Sequence, residues 1–203
     1  MQQIIFATGN EGKMREIRKI LANLIIDGEE TQILSMKEAG LNPDIVEDGK
    51  SFEENAIIKA KAVAEYAKEA IVLADDSGLE IDYLNGEPGI YSARYLGEDT
   101  PYNVKNNHII ERLTGVKEED RTARFVCAIA AAMPCGEVFC EKATIEGIIG
   151  YEEKGSNGFG YDPIFYVPSY AKTTAELSED EKNEISHRGK ALRAIRERLE
   201  RKE

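Results

Sequence analysis

The stretch VLADDSGLEI, residues 72–81, sets the chemical question for this chain. An apolar run leads straight into Asp75 and Asp76. Asp is depleted in strands, and adjacent carboxylates repel each other. The pair therefore reads either as a polar turn or as a holder of something positive. Glu47 and Asp48, ahead of a helical stretch, add further carboxylates. A hard cation such as Mg2+ is commonly held by one or two carboxylates, with waters and phosphate oxygens completing its shell. Strand ends in α/β proteins are where such ligands gather.

Four other stretches carry complementary groups. In TGNEGK, the residues Thr8, Gly9, Asn10, Glu11, Gly12 and Lys13 pass from a strand through a glycine turn into a helix start. Free backbone N–H groups at a helix start attract an anion, and Lys13 adds a cation. The spacing is not that of a Walker A loop, and an ordinary strand–helix connection reads the same way. Asn55 and Lys59 lie four apart and share a helix face, which could serve a metal–phosphate site or simply be solvated. In GFGYDP (158–163), two glycines bracket Phe159 and leave an aromatic ring able to stack a planar base, the plain alternative being a hairpin with a buried Phe. In SHRGK (186–190), His187 and Arg188 stand at a helix start and form a cationic cluster with Lys182. The planar fork of Arg suits a phosphate or a carbonyl oxygen. His108 lies in a helical segment without polar company and receives no role.

The elements that must position these groups follow an α/β pattern. A strand at 4–7 meets a helix over 11–24 with Asn10 as N-cap. A short strand at 31–35 follows. Ser51 and Glu54 form a capping box that opens an alanine-rich helix reaching about Ala70. A strand at 70–74 ends at the Asp pair, residues 79–84 alternate like a strand, and Asn85-Gly86 is a turn signal. A helix spans 102–114. Strands at 122–133 and 137–150 flank PCG as a hairpin, and a short strand occupies 164–167. Ser178 and Glu181 form a second capping box, and a helix covers 186–202.

With 203 residues there is enough chain for one sizeable core, with room for two lobes. The formal charge of −12, from 38 acidic and 26 basic residues, argues against a protein that coats nucleic acid. It leaves room for a small anion bound by a few clustered cations. The three cysteines are odd in number and show no C-x-x-C spacing, so they read as reduced thiols. Neither a signal-type apolar segment nor a membrane-length run is present, so the expectation is a cytoplasmic protein with no membrane partner.

Five motifs occur in order: TGNEGK, EDGKSFEENAIIKAKA (47–62), ADDSGLEIDYLNGEPGIYSARY (74–95), NGFGYDPIF (157–165) and SHRGKAL (186–192). Together they resemble the noncanonical purine nucleoside triphosphate pyrophosphatases, the inosine/xanthosine triphosphate house-cleaning enzymes. The resemblance implies an elongated mixed central sheet flanked by helices, in two lobes of one domain over 1–203 with the active cleft between them. It further implies a homodimer that cleaves ITP, dITP and XTP between the α- and β-phosphates, with Mg2+ as cofactor, and so clears them from the nucleotide pool. By position, residues 8–13 would contact phosphates. Glu47 and Asp76 would be the metal-side carboxylates, with Asp76 also the general base. Lys59 and Ser77 would touch substrate. Phe159, Gly160, Tyr161, Asp162, Lys182, His187 and Arg188 would hold base and phosphates. Asn157 stands where a glycine is expected, and Asn tolerates left-handed backbone angles. Inosine and xanthosine offer a 6-keto acceptor where adenine offers a donor, so donors such as Arg188 would favour them over ATP. Two alternatives stand beside this reading: a related pyrophosphatase acting on pyrimidine nucleotides, and a sensor that binds a Mg–nucleotide without cleaving it. No role follows from the sequence for Asp75 or Arg94.

Overall fold

Among the described residues, 1–201 of the computed structural model, the chain forms eight strands and five α-helices. In chain order they are β1 (Gln2–Phe6), α1 (Glu11–Ile20), β2 (Ile25–Ile26), β3 (Glu29–Ser35), α2 (Phe52–Ala64), β4 (Ile71–Ile81), α3 (Tyr102–Arg112), β5 (Thr122–Ala132), β6 (Val138–Ile149), β7 (Phe165–Val167), β8 (Lys172–Thr173), α4 (Glu179–Ile185) and α5 (His187–Glu200). The strands run in the order β2-β3-β1-β4-β5-β6-β7-β8. β1 pairs in parallel with both β3 and β4, while β2–β3, β6–β7 and β7–β8 are antiparallel, so the sheet is mixed.

The chain divides into two units. One comprises Met1–Asp76, Cys127–Ala143 and the chain from Arg188 onward; the other comprises Ser77–Val126 and Thr144–His187. In the first, alternate positions of three strands (Ile4 and Phe6, Ile71 and Leu73, Cys127, Ile129 and Ala131) are buried on one face. Met14 and Ile17 of α1 and Leu192 and Ile195 of α5, at helical spacing, cover them. In the second, Leu79, Ile81, Phe125, Ile145, Ile149 and Phe165 pack with Ile109 of α3 and with Leu113.

Several expected boundaries move. The Asp pair does not end a strand: β4 runs unbroken from Ile71 to Ile81. The reason is tertiary, since both carboxylates find donors from elements distant in sequence, as described below. The alternating stretch 79–84 stops as a strand at Ile81, and Asp82–Leu84 tighten into a 3-10 turn. Asn85 and Gly86 then take φ values of 54° and 85°, the left-handed pair that an Asn-Gly dipeptide favours. α2 ends at Ala64 instead of near Ala70, because the chain tightens into i to i−3 bonds at Tyr66 and Ala67. α1 ends at Ile20 and not at 24, with Asn23 left-handed at φ 58°. Asn10 caps α1 by accepting the Lys13 N–H at 3.1 Å. Ser51 caps α2 by accepting the Glu54 N–H at 3.1 Å, but the Glu54 carboxylate takes the Lys50 N–H and not that of Ser51. The Ser178–Glu181 box is reciprocal. The three cysteines are free thiols, and no helix among the described residues is long and apolar enough to cross a membrane.

Candidate active site

The acidic pair on β4 is the centre of a charged cluster in the first unit. Side chains alternate across a strand, so Asp75 and Asp76 face opposite sides of the sheet. Asp75 shares its face with Ile71 and Leu73, beneath α1 and α5. There Lys13 Nζ donates to its Oδ1 at 3.1 Å and lies 2.9 Å from Oδ2, and an Arg188 nitrogen donates to Oδ2 at 3.4 Å. Glu16 of α1 accepts from the same guanidinium at 2.6 Å. Asp75, Glu16 and Arg188 are all buried. On the other side α2 supplies the partners. Asn55 Nδ2 donates to Asp76 Oδ2 at 3.1 Å. Lys59 Nζ donates to the Asp75 carbonyl at 3.0 Å and sits 3.0 Å from Glu47 Oε2.

These surroundings drive the two neighbours apart in acidity. Burial pushes the Asp75 carboxyl up, but Lys13, then Arg188 and Lys59, outweigh it and hold the group well below the usual carboxylate range. For Asp76 burial dominates, and Glu47 and Asp75 add to it; Lys59 and the Asn55 bond offset only part, leaving the carboxyl raised to about 6. Burial would lower the Arg188 pKa, yet Asp75 and Glu16 raise it, so the guanidinium stays charged. Burial, with Asp75 adding, pushes the Cys127 thiol up to about 12, which keeps it protonated and inert.

The donor set also tests whether a divalent cation fits. Four carboxylates (Glu16, Glu47, Asp75 and Asp76) meet three cations (Lys13, Lys59 and Arg188), and Asp76 is hydrogen-bonded by a neutral amide. Its raised pKa marks a carboxylate short of positive charge. Among the described residues no group of three or more His, Cys, Asp or Glu side chains could hold a metal ion alone. A cation at Glu47 and Asp76 would thus complete its shell with waters and ligand oxygens, the habit of Mg2+. In that sense the residues fit the ion.

The second unit holds the other expected residues, organised around Asp162 on the loop ahead of β7. Asp162 Oδ2 accepts the Phe159 N–H at 2.8 Å and pairs with Lys182 of α4 at 2.7 Å; its Oδ1 accepts from Thr174 at 2.7 Å. Gly158 has φ 73°, and a Cβ there would come within 2.2 Å of Asp162 Oδ2. Glycine is thus dictated by both space and conformation. The Lys182 ammonium lies 5.0 Å from the centre of the Phe159 ring. Tyr161 donates to the Ser92 carbonyl at 2.6 Å and meets the Tyr102 ring edge-on at 5.2 Å. The His187 ring stacks on Phe125 at 4.9 Å. Asn157 does not use its left-handed freedom: its φ is negative, and its amide donates to the Leu177 carbonyl at 2.9 Å.

The first unit therefore gathers Lys13, Glu47, Lys59, Asp76 and Arg188, with Thr8–Asn10 forming the turn into α1 and Glu11 and Gly12 its first residues; Thr8 accepts the Asn10 N–H at 3.2 Å. Ser77 and the residues from Phe159 to His187 belong to the second. The sequence singled out Asp75 without giving it a role and did not single out Glu16; Asp75 pairs with Lys13 and Arg188, and Glu16 with Arg188. A signal existed for Glu16, since it lies three residues from Lys13 on one helix face. Arg94 lies over the Tyr91 ring at 5.1 Å.

Comparison with known proteins adds the family context. The sequence profile of the Ham1 family matches residues 4–198. A relative from Clostridium perfringens, called dITP/XTP pyrophosphatase, is 46% identical over 204 residues, covering 98% of each chain. The Ham1 protein of Staphylococcus aureus has a solved structure that superposes with a TM-score of 0.85 at 41% identity, covering 98% of both chains. The structure of a nucleoside-triphosphatase, dITP/XTP pyrophosphatase, from Mycobacterium abscessus superposes with a TM-score of 0.74 at 35% identity, over 96% of this chain and 98% of that one.

Proposed function

The chain belongs to the Ham1 family, and we propose that it hydrolyses noncanonical purine nucleoside triphosphates (dITP, XTP and ITP) to the monophosphate and pyrophosphate. The observation that carries this reading is the split acid pair: Asp75 locked with Lys13 and Arg188, and Asp76 raised to about 6 beside Glu47 and Lys59. A binding module has no need of a carboxylate tuned toward neutrality, whereas a general base does. The names of the relatives support the substrate class.

In this proposal, the backbone and side chains of Thr8, Gly9, Asn10, Glu11, Gly12 and Lys13 hold phosphate oxygens at the start of α1, where N–H groups and the helix dipole favour an anion. Lys59 moves charge onto the phosphates from its position beside Glu47. Glu47 and Asp76 would hold Mg2+, which supplies charge neutralisation at the triphosphate and polarisation of the attacked phosphoryl group when bound. Asp76, in its charged form, takes a proton from water as the water oxygen bonds to the α-phosphorus. The bond to the α–β bridging oxygen breaks, and pyrophosphate leaves. Phe159 stacks the base, while Tyr161, Asp162 and Lys182 fix its loop. Ser77, His187 and Arg188 complete the substrate contacts. The state proposed is a cytoplasmic homodimer, and sedimentation checks the dimer.

The test is product analysis with dITP, XTP, ITP, dGTP and ATP, each with Mg2+ and with excess chelator. Metal-dependent pyrophosphate from the first three, with ATP nearly inert, is expected. Orthophosphate in place of pyrophosphate would move the broken bond. Tight binding without turnover would make the protein a sensor.

A further inference from the structure

The loop that carries Glu47 has no regular structure of its own, since residues 41–49 belong to no helix or strand. A carboxylate on such a segment takes a fixed place only if other groups hold the segment. Lys59 holds the side chain itself, at 3.0 Å. Asn55 holds the backbone. Only 1% exposed in the first turns of α2, it accepts the Gly49 N–H on Oδ1 at 2.9 Å and donates from Nδ2 to Asp76 Oδ2 at 3.1 Å. One amide thus ties a point two residues beyond Glu47 to the carboxylate on β4. The residue type follows from the task. An ionised Asp of the same size has no donor for Asp76, and Leu has neither donor nor acceptor.

Gly49 gives a second, independent sign. Its φ is not left-handed, so conformation does not demand glycine. Space does: a Cβ there would lie 2.6 Å from Asn55 Oδ1, 2.8 Å from Glu54 Cβ and 2.9 Å from Asn55 N. The loop backbone is drawn down onto the amide, and the next N–H, that of Lys50, is caught by Glu54 at 2.6 Å. We infer that Asn55 is a positioning residue that fixes Glu47 and Asp76 as a pair of cation ligands by clamping the backbone at Gly49. This rests on the reading of those two carboxylates as cation holders proposed above.

The experiment uses the full chain and three variants. Asn55→Ala removes both arms of the clamp. Gly49→Ala leaves every carboxylate and Asn55 in place but pushes the loop off it, and carries the test by itself if Asn55→Ala does not fold. Lys50→Ala alters an exposed side chain of the same loop and serves as control. The readout is Mn2+ binding, followed by the EPR signal of free Mn2+, with α,β-methylene dITP present. Affinity for that nucleotide in chelator is measured alongside. Mn2+ affinity is expected to fall by about 10–100-fold in Asn55→Ala and Gly49→Ala, the range for groups that orient metal ligands. Metal-free nucleotide affinity and the Lys50→Ala variant should change less than about 3-fold. In turnover, the Mg2+ concentration for half-maximal rate should rise while the rate at saturating Mg2+ largely recovers. Mn2+ binding at wild-type strength in both variants overturns the inference and leaves the cation reading intact. Absence of Mn2+ uptake by the wild-type protein removes the cation reading, and the inference with it.

Discussion

Replacing Asp76 by Asn should make the protein slower and more stable, with the stability gain confined to one side of a pH window. The Asp76 carboxyl is raised from 3.8 to about 6, chiefly by burial. Between those values the folded protein binds more protons at this position than the unfolded chain, so wild-type stability falls as pH rises through the window. A shift of about 2 units corresponds to about 3 kcal/mol at 1.36 kcal/mol per unit. Asn keeps the shape, can still accept from Asn55, and carries no charge. Lys59 keeps Glu47 and the Asp75 carbonyl as partners. In urea unfolding with chelator present, Asp76→Asn should therefore exceed wild type by about 2–3 kcal/mol at pH 8, and the gap should close toward zero near pH 4. Mg2+ and nucleotide should shrink the gap at pH 8, because they stabilise the charged carboxylate of the wild type alone. Turnover should fall by about 100-fold or more, the usual span for a lost general base. A gap that does not change with pH, or a variant less stable than wild type at pH 8, would refute the assignment of Asp76 as a carboxylate short of charge. Near-normal turnover would refute its role as base.

Arg188→Ala should cost about 3–5 kcal/mol in thermal or urea unfolding, because it leaves Asp75 and Glu16 buried without their shared cation; a loss under 1 kcal/mol would show that the cluster relaxes. The same variant, assayed at a temperature where it is folded, should narrow the ITP/ATP rate ratio if the guanidinium also reads the 6-keto oxygen, and an unchanged ratio would confine Arg188 to holding Asp75. Phe159→Ala should raise KM for dITP by about 10-fold or more with a smaller effect on kcat, since stacking a base on an aromatic ring is worth about 1–3 kcal/mol; Phe159→Tyr should restore it. Thr174→Val removes the hydroxyl that donates to Asp162 Oδ1 at 2.7 Å, and the buried oxygen left behind should cost about 1–3 kcal/mol of stability, read by melting.

The elements that carry strong local signals were legible in the sequence: the caps at Asn10 and Ser178, the Asn-Gly turn at 85–86, and the hairpin around Pro134-Cys135-Gly136. The chemistry-bearing residue types were legible too, and their order along the chain pointed to the family. What local signals could not supply was the strand through Asp75 and Asp76. Strand propensity prices an Asp by its exposed cost, and here that cost is offset by Lys13 and Arg188, which lie 62 and 113 residues away in sequence. The role of Asn55 was hidden for the same reason. Its spacing from Lys59 placed both on one helix face, but its partners, Gly49 and Asp76, are fixed by tertiary packing.

The side-chain alternation of β4 resolves the problem that the adjacent carboxylates posed at the outset. Two acids in succession on a helix or in a turn would share solvent and repel; on a strand they are sent to opposite faces. The face bearing Asp75 is closed by α1 and α5, which bring Lys13, Glu16 and Arg188. That acid is locked in its charged form and serves to hold cations in place. The face bearing Asp76 is met by α2, which brings an amide and one lysine already engaged by Glu47. That acid is left short of positive charge. A single residue step along the strand thus separates a structural anion, held well below the usual range, from a reactive one raised to about 6. Exchanging the two environments would need a one-residue slip of β4, which would also turn Ile71 and Leu73 out of their core. The register that buries those two side chains is therefore the same register that assigns each aspartate its task.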